Sequence, residues 1–131
     1  MNKKYLSKII ATDNEGLQVI SACCSGAEVK VDEIKYLQSN KVFLLSLNRS
    51  KVETEEKDKK VTSICKFEFV DKVKSKNIKQ NDPEEKLELI GMDYLKNNDN
   101  YEINLMFTNN AYITLSTEII EVTLDDQNKA D

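Results

Sequence analysis

Beyond residue 27 the apolar residues of this chain recur at every second position rather than every third or fourth. That period belongs to β-strands, whose side chains point alternately to opposite faces. KVFLLSLNR, residues 41–49, is the clearest case. Phe43, Leu45, Leu47 and Arg49 fall on one face, and Val42, Leu44, Ser46 and Asn48 on the other. Two largely apolar faces predict a central strand. VTSICKFEFVDKVKSK alternates through Val61, Ser63, Cys65, Phe67 and Phe69. Val70 breaks the parity, which predicts a bend or bulge there.

The other predicted strands are residues 5–12, 28–37, 86–95, 101–107 and 111–124. Asn109 and Asn110 read as a tight turn, because asparagine tolerates positive φ. KVETEEKDKK, residues 51–60, has nearly balanced charge and reads as an exposed hairpin loop. The segment around Pro83 reads as a loop or a single helical turn.

One stretch departs from the strand period. Leu17, Ile20, Cys24 and Ala27 are spaced by three, four and three, which is one face of a helix. Asp13 is its predicted N-cap, Glu15 lies in the first turn, and Gly26 is the stop signal. Gly16 costs about 1 kcal/mol in an early helical position, so this helix depends on docking. The fold class is therefore α+β: one curved, mostly antiparallel sheet or incomplete barrel of about seven strands, with one helix near the N-terminus. Residues 1–131 form a single domain, with an ordered core over about 5–124 and a polar, frayed tail at 125–131.

Composition removes several chemistries. The absence of histidine takes away the usual general base near neutral pH and the commonest nitrogen ligand for metals. Gly16, Gly26 and Gly91 stand alone, so there is no glycine-rich phosphate loop. The acidic pairs Glu55-Glu56, Glu84-Glu85 and Asp125-Asp126 read as solvated charge in loops or the tail. Cys23 and Cys24 would point about 100° apart on a helix, with Cys24 in the core and Cys23 intermediate. Three cysteines without a framework predict free thiols and a reducing cytoplasm. No cofactor and no metal are expected. Tyr94, Tyr101, Phe107 and Tyr112 read as core or cross-strand pairs.

The order and spacing of several short patterns resemble the DUF2948 family of small alphaproteobacterial proteins, a domain of unknown function. They begin with Asp13, Leu17, Ile20, Ser21 and Ala22, then Val29 to Val31, Tyr36-Leu37 and the F-x-L-x-L-N-R strand at Phe43 to Arg49. They continue with Ser63 to Val70, Asn77 to Pro83, and A-x-I-x-L-x-x-E-x-I-E at Ala111 to Glu121. The resemblance covers about residues 6–124. It implies a shared fold and an arginine at the matched position 49, and it implies no activity.

Two sets of residues are candidates for binding. Arg49 is the only arginine, against eighteen lysines among nineteen basic residues. A guanidinium is a planar fork that binds carboxylate in a way an ammonium cannot copy. Arg49 either pairs with an internal carboxylate that closes the sheet's end or, with Asn48 beside it, holds an anionic group of a ligand. Lys72, Lys74 and Lys76 share one face of a predicted strand, and with Lys79 they have no acid between them. They read as a lysine-guarded strand edge or as a docking stripe for an acidic partner. The net charge of −4 argues against a nonspecific nucleic-acid binder, and no apolar run approaches a membrane span. The expected role is a noncatalytic cytoplasmic module that binds a protein partner. The alternative is an enzyme or enzyme subunit that holds an anionic substrate through Arg49.

Overall fold

A computed structural model describes residues 8–50, 60–79, 82 and 84–127. The start of the first predicted strand, nearly all of the predicted hairpin loop, Pro83 and the last four residues lie outside that range. The elements run β1 (Lys8–Ala11), α1 (Asn14–Cys24), β2 (Glu28–Lys30), β3 (Ile34–Leu37), β4 (Val42–Ser50), β5 (Lys60–Phe67), β6 (Val70–Lys76), β7 (Lys86–Asn97), β8 (Asn100–Phe107), β9 (Ala111–Thr117) and β10 (Val122–Asp126).

The helix forms where the 3.6 period predicts it. Asp13 accepts a hydrogen bond from the Gly16 N–H at 2.8 Å through Oδ1, capping the first turn. Leu17, Ile20 and Cys24 are fully buried. Gly16 is explained by a close approach. A Cβ there would sit 2.9 Å from Ala11 Cβ and 3.0 Å from Ala11 Cα, against the strand just before the helix. Gly26, at φ +85°, ends the element in the left-handed region. The Met92 N–H donates to Ser21 Oγ at 2.9 Å, and the Leu89 N–H to the Ala27 carbonyl at 2.8 Å, which ties the helix and its exit to β7.

All strand pairings are antiparallel. Among the described residues the sheet has ten strands in the order β1-β10-β5-β4-β2-β7-β8-β9-β6, and β3 adds to β4 beside β2. It curves around a core that includes Phe43, Leu45, Leu47, Phe67, Leu89, Leu105, Ile113 and Leu124. β4 is central, as its two apolar faces predict, and Phe43, Leu45, Leu47 and Arg49 all point inward. No described helix is long and apolar enough to cross a membrane.

The rise from about seven strands to ten has a single cause: three predicted strands are each broken in two. Residues 28–37 are interrupted by a 3₁₀ turn at Val31–Glu33, so that β2 and β3 meet different stretches of β4. The second break follows Phe67. Phe69 takes φ +58°, leaves the face its parity predicts and is 40% exposed, while Val70 turns fully inward. The third falls between Thr117 and Val122. The last two breaks lie side by side, because Phe67 pairs with Val122 and Val70 with Thr117. Together they bend a long two-stranded ribbon through one corner.

A second correction concerns the C-terminus. Asp125 and Asp126 are not a frayed tail. They are the last residues of β10, opposite Ile64 and Ser63, and Asp126 is buried.

Candidate functional site

Arg49, Ser63 and Asp126 meet on the inner face where β4, β5 and β10 run side by side. The Arg49 fork reaches both of the other members. Nε donates to Ser63 Oγ at 2.9 Å, and Nη2 to Asp126 Oδ1 at 3.0 Å. Ser63 donates onward to the same Oδ1 at 2.6 Å, and Arg49 Nη1 reaches the Ser50 carbonyl at 3.3 Å. Ser63 and Asp126 are cross-strand partners, so the register itself sets the cluster. The side chains of Arg49 and Asp126 are 1% and 0% exposed. This cluster bolts three strands together inside the protein. Asn48, on the other face of β4, is exposed and does not join it.

The neighbouring thiols are equally internal. Cys23, Cys24 and Cys65 form no disulfide and are all buried, so the expected intermediate exposure of Cys23 is corrected. The second half of α1 presses that side of the helix onto the sheet. Burial, followed by the hydrogen bond and charge interaction with Cys24, pushes the Cys65 thiol well above its ordinary 9.0, with the Arg49 charge pulling the other way. A thiol held protonated in the core is a poor nucleophile. Titration of protein denatured without reductant is expected to find three thiols. A count of one would mean an internal disulfide and contradict this arrangement. Among the described residues no group of His, Cys, Asp and Glu could hold a metal ion.

The site that opens to solvent lies elsewhere, at the unclosed seam of the sheet. Among the described residues, β6 is the last strand and pairs only with β9, and β3 pairs only with β4. Their outer edges face a cleft of about 370 Å³ lined by Val31, Asp32, Ile34, Tyr36, Phe43, Val73, Ser75, Ile78 and Ile113. Its inner residues, Phe43 and Ile113, belong to the core. One end is tied shut by isolated bonds rather than a ladder. The Tyr36 hydroxyl donates to the Val70 carbonyl at 2.8 Å, and the Val70 N–H to the Lys41 carbonyl at 2.8 Å. Lys41 also bridges to Asp71 at 3.0 Å and Glu118 at 3.8 Å. The hydrogen bond that Lys41 donates to Asp71, then the charges of Asp71 and Glu118, raise the Lys41 pKa above its ordinary 10.5. Lys41 is therefore charged at neutral pH, and its ion pairs weaken as pH rises through the raised pKa.

Lys72, Lys74 and Lys76 lie on β6 along this seam, all exposed. A bulge between Val70 and Lys72 sets their register, so they stand opposite Ser116, Thr114 and Tyr112 of β9. None of those neighbours is acidic. Among the described residues, the ion pairs of this face belong to Lys41 and leave these three lysines without a carboxylate. Val73 and Ser75, at the alternate positions, line the cleft. The two sets of candidate residues are thus separate. Arg49 is inside one end of the sheet, and the lysines flank the open seam.

Three features were missed in the sequence reading. Asp126 shares the parity of Val122 and Leu124, which are both buried, and that period marks its inward direction. Ser63 stood in the inward series already read from β5. The cleft depends on strand order, which no local pattern carries. Of the aromatics, Tyr94 and Tyr101 stack at 5.7 Å between centroids and Phe107 is buried. Tyr112 is 41% exposed and so lies outside the core, and it stands in cross-strand register with Lys76 on β6 and Met106 on β8.

Residues 7–131 match the model of a family described as a protein of unknown function, DUF2948. No curated protein and no solved structure matches the chain.

Proposed function

The chain belongs to the DUF2948 family, and from that premise we propose that it is a noncatalytic protein-interaction module of the cytoplasm that docks its partner at the seam between β3 and β6. The observation that carries this reading is the coincidence of two unpaired strand edges with an apolar cleft between them. Unpaired edges offer backbone donors and acceptors to another chain, and a cleft beside them adds pockets for its side chains. Three buried cysteines with no disulfide among them suit a reducing compartment.

Substrate binding through Arg49 is the weaker reading. A guanidinium enclosed with Ser63 and Asp126 already holds an anionic partner within its own sheet.

Panning a displayed library of random peptides of about twelve residues against the purified protein tests the docking surface. Selected peptides are expected to shift the backbone amide resonances of β3 and β6 and leave those of α1 unchanged. Failure to select any peptide, or shifts centred away from the seam, would remove the reading.

A further inference from the structure

A strand added to β6 would meet two different surfaces in alternation. On the outer face it would run beside Lys72, Lys74 and Lys76, three exposed cations with neutral cross-strand neighbours on β9. Alternate residues of a strand are about 7 Å apart, inside the ~8 Å screening length of physiological salt. These lysines therefore repel one another, and a neighbouring strand of acids would relieve that repulsion. On the inner face the same added strand would look into the cleft beside Val73, where Ile34, Phe43, Ile78 and Ile113 supply apolar walls. Opposite charges and apolar pairs at directly opposed positions are the unit of sheet stabilisation.

We propose that the free edge of β6 accepts an extended segment of a partner protein, acidic and apolar at alternate positions, as an additional strand. This inference rests on the reading of the seam as a docking surface and names its occupant. A second copy of this chain fits poorly, because joining two β6 edges would set lysines against lysines. Nucleic acid would answer the lysines but would leave the apolar cleft unused.

The test uses the purified full chain and four probes, read by fluorescence anisotropy. One is a fluorescein-labelled peptide of about eight residues that alternates glutamate with leucine. The second replaces glutamate by lysine. The third keeps the acidic sequence but carries N-methyl groups on alternate amides, on either set in turn. The fourth is a single-stranded oligothymidine.

Only the unmodified acidic peptide is expected to bind saturably. Its affinity should fall at least about tenfold when Lys72, Lys74 and Lys76 are together replaced by glutamate, and again in high salt. At least one N-methylated form should lose binding, because it cannot complete the ladder. These lysines are solvated, so the triple variant is expected to melt as the wild type does, and its melt is recorded beside the titration. Equal binding of the lysine peptide, full binding by both N-methylated forms, tighter binding of the oligothymidine, or no binding of the acidic peptide would each overturn the proposal. If panned peptides map to the seam while the acidic probe fails, the occupant is wrong and the docking surface stands. If neither engages the seam, both readings fall.

Discussion

Asp126→Ala is expected to destabilise the fold by about 3–5 kcal/mol, the cost of breaking a buried ion pair from one side. The variant takes the Asp126 carboxylate away from the Arg49 guanidinium in a site that is 1% exposed and removes the acceptor of the Ser63 hydroxyl. A urea titration of wild type and variant measures the loss. Replacing both at once, as in Arg49→Met with Asp126→Leu, should cost less, because the two charges that face each other leave together. That contrast separates the penalty of a broken pair from the net worth of the pair. A loss below about 1 kcal/mol for Asp126→Ala would mean that the carboxylate behaves as a solvated one.

The helix supplies the other large effect. Ile20 is fully buried between α1 and the sheet, so Ile20→Ala should cost about 2–5 kcal/mol through lost burial and the cavity left behind. Gln18 sits on the solvent side, where its amide reaches Asn14 at 3.3 Å, and Gln18→Ala should change stability by less than about 0.5 kcal/mol. Chemical denaturation of the two variants checks the docking of α1 directly. Small and equal effects would mean that the helix contributes little to the core. The Gly16 contact with Ala11 fits the same picture, because it lets the helix lie closer to β1 than any side chain there would permit.

Much of this architecture is legible residue by residue. The inward face of β4, the cap at Asp13, the stop at Gly26 and the bend near Val70 all follow from local chemistry and parity. The asparagine turn is equally local, with Asn109 and Asn110 at φ +63° and +57°. Strand breaks are harder, since Val31–Glu33 keeps an apolar residue in phase while the backbone makes a 3₁₀ turn. Asp126 was hidden by its company. An acidic pair near a chain end reads as solvated charge, and only a buried cation two strands away makes the inward direction favourable. The seam was out of reach for a different reason. Whether Lys72, Lys74 and Lys76 guard an edge or fill a ladder depends on what lies beyond β6, and that is set by tertiary pairing. β6 leaves the ladder of β4, β5 and β10 at the Phe69 corner and joins β9 instead.

The division between a structural arginine and a separate docking seam is tested most directly by a urea melt of Arg49→Lys, read beside binding of the panned peptides. Lysine keeps the charge but cannot divide a fork between Ser63 and Asp126. The expected result is a loss of roughly 1–3 kcal/mol, with unchanged peptide affinity wherever the variant is folded. A variant as stable as the wild type that has lost peptide binding would contradict the account and place Arg49 at the binding surface.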